Sequence, residues 1–262
     1  MKMKLYETAA AFNKSCRQYL LLEEAKNNWF IGNIDLAMSV YRDAKYRFGE
    51  VKNQSQTALV FLCNPKGQMF LYSPTCSADY CLYAFFAKAL YGAGIQVIGV
   101  KADPLSADVF ADAYTKQSGG ESKIKMRMHV LLLTELKPIR LLALEVEKII
   151  FEDDYTLTQE QAQFIREGIH GQEGLYFLMK GDVPVSQAAI RRRVSIGGVY
   201  TPEEYRRNGY SSTLVYQLAK RILAGGNPYC VVHTDADNPI SNRMYTNMGF
   251  KPIADMKDIH FL

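Results

Sequence analysis

Apolar positions along this chain alternate between two spacings. Over residues 5–45 they recur every three to four positions, with Leu20, Leu21, Leu22, Ala25, Trp29 and Phe30 as the apolar set, and this predicts helix. Strand patterns follow at 46–51, 58–63 and 69–72, the last behind the turn chemistry of Asn64-Pro65-Lys66-Gly67. Residues 80–91 read as a helix ended by Gly92 and Gly94, 95–100 as a buried β-branched strand, 106–116 as a helix closed by Gly119-Gly120, and 124–133 as a strand. The pattern over 135–154 is mixed and predicts no element.

The second half is more regular. Thr158 can cap a helix over 158–168, with Gln159 and Glu160 in its first turn. Residues 175–179 and 183–190 form a hairpin across Lys180-Gly181-Asp182, and 193–200 is a further strand. An amphipathic helix over 210–223 gathers Leu214, Val215, Leu218, Ala219, Ile222 and Leu223 on one face and stops at Ala224-Gly225-Gly226. A buried strand at 229–233, a helix at 240–248 ended by Gly249, and short strands at 250–253 and 259–262 complete the chain. The succession is α/β, an antiparallel meander feeding a parallel crossover. The halves also echo each other: "IQVIGVKADPLSADVF" and "YCVVHTDADNPISNRMY" are each strand, Ala-Asp, proline, helix. Duplication and chance likeness both fit that echo.

With 262 residues the chain can form one large or two small domains at about 150 residues each. A boundary near residue 134 divides it into an N-terminal α/β domain, 1–134, and a second domain, 135–262. A net charge of +4 suits an anionic ligand but is too mild to argue for nucleic acid. The start, "MKMKLYETAAAFNKSC", has no apolar leader core, and no run of about 18 apolar residues occurs, so a cytoplasmic protein without membrane spans is expected. The five cysteines, Cys16, Cys63, Cys76, Cys81 and Cys230, have irregular spacing that completes no zinc site, and they read as buried free thiols.

One stretch concentrates chemistry. "YRRNGYSST", residues 205–213, places two arginines, one glycine and several hydroxyls just ahead of the amphipathic helix. The first N–H groups of a helix lack partners within it, and a glycine turn lets them converge on an anion. Small residues at Gly209, Ser211 and Ser212 would let phosphate oxygens approach the backbone. An ordinary capped helix with solvated arginines is the plain alternative. The stretch is neither a P-loop nor a dinucleotide fingerprint, having too few glycines for the second.

The order of motifs resembles the GNAT acyltransferase superfamily. Arg206-x-x-Gly209-x-Ser211 matches that family's phosphate loop, with Ser211 where Gly or Ala is usual. Asn238, seven residues before Tyr245, and then Gly249-Phe250 match its later signature. The nearest resemblance is to the subgroup that includes glycine N-acyltransferase-like proteins, and it covers roughly 144–262. The fold it implies is a mixed sheet flanked by helices in the C-terminal half, with the N-terminal half a degenerate GNAT-like α/β unit. It implies acetyl-coenzyme A or another acyl-coenzyme A as donor, no metal, and a small-molecule or peptide amine as acceptor. By the same resemblance Val199, Tyr200 and Thr201 offer backbone groups to the pantetheine and the thioester carbonyl. Arg207, Asn208, Gly209, Tyr210, Ser211 and Ser212 hold the pyrophosphate, Asn238 contacts the cofactor, and Tyr245 lies near the sulfur as general acid.

Several positions keep plainer readings. Asn238 can simply cap its helix, and Tyr245 can simply pack. His233 stands five residues before Asn238, where some members carry a carboxylate base; it is a candidate base or a core histidine, with Asp235 and Glu204 as rivals. Arg191-Arg192-Arg193 can steer an anion or merely begin a strand. Aligning the halves on Pro104 and Pro239 puts Asp103 at Asn238 and Phe110 at Tyr245, so the first half is expected to bind no cofactor. An acyl-coenzyme A sensor without turnover is the alternative to an N-acetyltransferase. The acceptor would be set by the first half and by loops such as 172–174.

Overall fold

The computed structural model describes residues 1–39, 41, 44–148 and 174–262. The expected helix at 158–168 lies outside them. The chain divides into two compact units: Met1–His129 with Ala254–Leu262, and Val130–Ile253.

The first unit begins with β1 (Lys2–Tyr6), α1 (Ala9–Leu21) and α2 (Asn28–Met38). β2 (Arg47–Asn53), β3 (Gln56–Cys63) and β4 (Gln68–Tyr72) form an antiparallel meander. α3 (Tyr80–Gly92) leads to β5 (Gly99–Ala102), which is parallel to β4, and α4 (Pro104–Ser118) leads to β6 (Ser122–Leu133). The last strand of the chain, β12 (Lys251–Phe261), adds its end to this unit, antiparallel to β5. The order within the unit is β1-β2-β3-β4-β5-β12-β6. One face packs Phe12, Phe30 and Ile34 of α1 and α2 on Phe48, Val60 and Phe70; the other packs Phe86 and Phe110 of α3 and α4 on Leu59, Phe61 and Val100.

The second unit repeats the plan. β7 (Glu145–Lys148), β8 (Gly174–Lys180), β9 (Val183–Arg191) and β10 (Ser195–Tyr200) are antiparallel in turn, and β11 (Cys230–Asp235) is parallel to β10. The order here is β7-β8-β9-β10-β11-β6. α5 (Tyr210–Ala224) and α6 (Pro239–Met248) bury Leu214, Leu218, Ile222, Tyr245 and Met248 against Tyr176, Ile190, Ile196 and Val232. The fold class is therefore mixed α/β, with the expected mixed sheet flanked by helices in the second unit, and the first unit has the same succession of meander, helix, parallel strand, helix. The echo noticed between the halves falls on β5–α4 and β11–α6, at equivalent places in the two plans.

Several expected elements are corrected. β1 escapes the hydrophobic pattern because it is an edge strand with little burial; backbone pairing to β2 holds it, and the Tyr6 hydroxyl donates to buried Glu50 at 2.6 Å. The strand expected at 95–100 starts only at Gly99. Ile95 and Val97 are buried, but their N–H groups go to the Leu90 carbonyl (3.0 Å) and the Tyr114 hydroxyl (3.0 Å) rather than to a sheet. The two short closing strands are one, because buried Asp258, beside Lys101 at 3.4 Å, interrupts the apolar pattern without interrupting the ladder. Arg192 and Arg193 do not begin a strand; both have positive φ (47° and 60°) and form the turn between β9 and β10. Of the five cysteines, Cys16, Cys63 and Cys230 are buried but Cys76 and Cys81 are exposed. No helix among the described residues is long and apolar enough to cross a membrane.

This burial predicts thiol reactivity. A thiol-specific reagent should modify two of the five cysteines rapidly in the native protein and all five in denaturant; rapid native modification of Cys16, Cys63 or Cys230 would contradict the packing. Leu218→Ala, in the fully buried face of α5, should cost about 2–5 kcal/mol in a denaturant titration.

Candidate functional site

The site is built on a defect in a strand. β10 starts in register with β9, Ser195 opposite Arg191 and Ile196 opposite Ile190. Then β10 takes an extra residue: Gly197 faces Ala189, but Tyr200 faces Gln187. Gly198 sits in this bulge with φ 61°, a conformation that side-chain-bearing residues resist. A bulge bends its strand and increases its twist. On its other side β10 pairs with β11 only at Ser195–Val231 and Ile196–Val232. Beyond Ile196 the two strands share no ladder among the described residues. A Cβ built on Gly197 or Gly198 would meet nothing within 4 Å, so packing does not require glycine at either. The sequence signal was present in "SIGGVY", since paired glycines inside a strand mark a bulge.

Past Tyr200 the chain makes a short turn of helix, Glu203–Tyr205, and enters α5. Arg207 (φ 65°) and Gly209 (φ 80°) both adopt the left-handed conformation. Gly209 is the N-cap of α5 and supplies no side-chain hydrogen bond; the ladder starts with the Thr213 N–H on the Gly209 carbonyl at 3.0 Å. The N–H groups of Tyr210, Ser211 and Ser212 thus precede the first intrahelical bond, at the positive end of the helix dipole. The space beside Gly209 is open, with nothing within 4 Å of an added Cβ.

The flanking side chains divide into clamps and free groups. Arg206 donates its Nε to the Thr201 carbonyl at 3.1 Å, and Asn208 donates its amide to the carbonyls of Tyr205 and Arg206, both at 3.1 Å. These two hold the loop. Arg207 is exposed and has no carboxylate partner among the described residues. Thr201, buried, lies 2.7 Å from the Ser211 hydroxyl and 2.9 Å from that of Ser186, which also donates to the Tyr200 carbonyl at 3.2 Å. Ser186 is a participant that sequence reasoning missed; a serine on the inward face of a strand carries no local signal. Val199 is half-buried against the core of the unit, while the Tyr200 ring is exposed.

On the far side of the opening, β11 turns Cys230 and Val232 into the core and leaves His233 half-buried. Asn238 caps α6, accepting the Ser241 N–H at 3.2 Å, with Pro239 at the first helical position. Its plain reading as a cap is therefore met, and its amide N–H₂ is left for other partners. Tyr245 is 5% exposed and lies edge-on to Phe250, ring centroids 5.5 Å apart. Its hydroxyl has no hydrogen-bond partner among the described residues. Burial first, and the neighbouring Cys230 second, push the phenol up to about 12, so it stays a proton donor through the neutral range. Of the rival acids, Glu204 is exposed, and half-buried Asp235 takes the Asp237 N–H on its carboxylate at 2.9 Å in a turn.

At the equivalent place in the first unit the chemistry differs. α3 is capped by Asp79, whose carboxylate accepts the Cys81 N–H at 2.9 Å. Asp103 caps α4, accepting the Ser106 N–H at 3.0 Å, and Phe110 lies buried in its core. Here a carboxylate already occupies the helix start that in the second unit is left open.

Residues 186–258 match the family described as FR47-like protein. Solved structures share the fold along nearly the whole chain. An acetyltransferase of the GNAT family from Colwellia psychrerythraea aligns with TM-score 0.63 at 12% identity, over 100% of this chain and 99% of its own. A GCN5-related N-acetyltransferase from Kribbella flavida aligns with TM-score 0.55 at 18% identity, over 88% of this chain and 93% of its own. A tandem GNAT protein from the clavulanic acid biosynthesis pathway aligns with TM-score 0.55 at 9% identity, over 100% and 98%. No curated protein matches the chain. These structures share the fold, and the family match covers residues 186–258; neither extends to the glycine N-acyltransferase-like subgroup.

The cap geometry gives a direct test. Asn238→Ala should lower stability by about 1 kcal/mol in denaturant titration, while Asn238→Asp, which keeps the acceptor, should hold it within a few tenths. An Asn238→Ala variant of unchanged stability would mean that the cap contributes nothing.

Proposed function

We propose that the protein is an N-acetyltransferase that moves an acetyl group from acetyl-coenzyme A to the primary amine of a small molecule or peptide. The observation that carries this reading is the uncapped start of α5 behind left-handed Gly209, next to the opening between β10 and β11. N–H groups ahead of the first intrahelical bond, a helix dipole, open space and Arg207, which has no carboxylate partner among the described residues, together suit a pyrophosphate. The residues present thus fit the group. Arg207, Asn208, Gly209, Tyr210, Ser211 and Ser212 would hold the diphosphate, and the β11-facing backbone of Val199, Tyr200 and Thr201 the pantetheine arm. Asn238 would use its amide N–H₂.

The donor supplies an activated thioester. Open backbone N–H groups of β10 can polarise its carbonyl, as preorganised donors do for developing oxyanions. The acceptor must be a neutral amine, because an alkylammonium of pKa about 10.4 is mostly protonated near neutrality. His233 is our choice of base, directly or through water. The amine nitrogen then bonds to the carbonyl carbon, the carbon–sulfur bond breaks, and the electron pair leaves on sulfur. Tyr245 protonates that sulfur, and the proton that the acylated nitrogen sheds restores the phenol, so product is the neutral amide and free thiol. Its burial suits a donor that must not ionise early.

Three results should follow. Titration calorimetry should give one coenzyme A per chain, since Asp79 fills the helix start of the first unit; two sites would refute this assignment. Gly209→Glu should weaken coenzyme A binding by about 100-fold or more, about 2.7 kcal/mol, by putting charge and bulk where the diphosphate sits. Gly209→Asn, which tolerates positive φ, separates that effect from backbone strain. Tyr245→Phe should lower kcat by about 100- to 1,000-fold with coenzyme A affinity and Tm nearly unchanged, because the ring and its contact with Phe250 remain. The kcat–pH profile should also show no alkaline fall from Tyr245 at pH 10, where an ordinary tyrosine would be half ionised. Full turnover in Tyr245→Phe would reduce Tyr245 to packing.

A further inference from the structure

Three hydroxyls join the head of α5 to the end of β10. Ser186 is 2% exposed and Thr201 8%, and Ser211 is half-buried in the first turn of the helix. The contacts are Ser186 to the Tyr200 carbonyl at 3.2 Å, Ser186 to Thr201 at 2.9 Å, and Thr201 to Ser211 at 2.7 Å. These hydroxyls have no further hydrogen-bond partners among the described residues.

Each hydroxyl carries one proton, so the chain has a direction. A carbonyl can only accept, so Ser186 spends its proton on Tyr200. Thr201 must then donate to Ser186, and Ser211 must donate to Thr201. In that state Ser211 offers only lone pairs outward, which is the wrong polarity for an anion at the helix start. The opposite state keeps both hydroxyl–hydroxyl bonds: Ser186 donates to Thr201, Thr201 to Ser211, and the Ser211 proton points out. The second state gives up the Ser186 bond to Tyr200 and gains one charge-assisted bond to the anion.

We propose that Ser186, Thr201 and Ser211 form a reversible hydroxyl chain whose direction is set by the anion at the head of α5, with Ser186 as a positioning residue that holds the empty site in its non-donating state. This rests on the phosphate reading of the loop. Only rotations of O–H bonds are involved, and no proton changes its oxygen. Binding therefore carries a penalty, the loss of the Ser186–Tyr200 bond, which also ties site occupancy to the end of β10.

The sign of one substitution separates this from ordinary structural support. Ser186→Ala removes the bond that binding must break, so coenzyme A should bind about 2- to 10-fold more tightly, the equivalent of one neutral hydrogen bond. Ser186→Cys, nearer in volume and a weaker donor, should shift affinity the same way by less. Ser211→Ala should weaken binding. In the wild type the Tyr200 carbonyl ¹³C resonance should move on saturation with inorganic pyrophosphate, a response that Ser186→Ala abolishes. Weaker coenzyme A binding by folded Ser186→Ala or Ser186→Cys would overturn the proposal, as would a Tyr200 resonance indifferent to pyrophosphate. Absence of any coenzyme A binding by the wild type would overturn the phosphate reading itself, and the chain's role with it.

Discussion

The site depends on the parting of two parallel strands. A parallel pair normally satisfies both backbones along its length, and here it does so for two positions only. The bulge at Gly198 turns β10 away after Ile196, leaving backbone groups without a partner on β11. The loop that follows must then reverse into α5 within a few residues. It does so with Arg207 and Gly209 in left-handed conformations and Arg206 clamped on the Thr201 carbonyl. The same reversal leaves the helix start uncapped. An open strand edge and an open helix end are both unfavourable in isolation, and their coincidence is what makes a ligand the natural partner for both.

The first unit shows what the scaffold becomes without that demand. It has the same succession of elements, and a parallel β4–β5 pair stands where the second unit has β10–β11. Its helix start is closed by Asp79, and its last helix carries buried Phe110 in place of a tyrosine. Its polar residues serve packing instead: Glu50 accepts from Tyr6 and Thr57, and Lys101 lies over the Trp29 ring while pairing with Asp258. The repeated plan is thus retained for its core, and the chemistry of the helix start distinguishes the units.

The sequence disclosed elements wherever one face is apolar at a constant period. α5 and the hairpin of β8 and β9 are such cases. It failed where burial and backbone pairing separate, as at Ile95 and Val97, which are inside without belonging to a strand. It failed also where a strand is held by its backbone alone, as β1 is, and where a buried charge breaks the pattern, as Asp258 does. For the site, the loop residues and Asn238 were legible because their spacing is local. The hydroxyl chain was not, since Ser186 and Ser211 meet only through the fold. Asn238 and Tyr245 illustrate a further limit: the spacing located both, yet only the structure shows that one caps a helix and the other is nearly enclosed.

The central claim is that these open groups serve acyl transfer and not binding alone. The most direct measurement is release of free thiol from acetyl-coenzyme A, followed with the whole chain over a panel of primary amines and short peptides. Acceptor-dependent release is expected, one thiol for each N-acetylated product, saturable in both substrates. Tight binding of acetyl-coenzyme A with no acceptor-dependent thiol release across the panel would contradict it, and would leave the protein a sensor of acyl-coenzyme A.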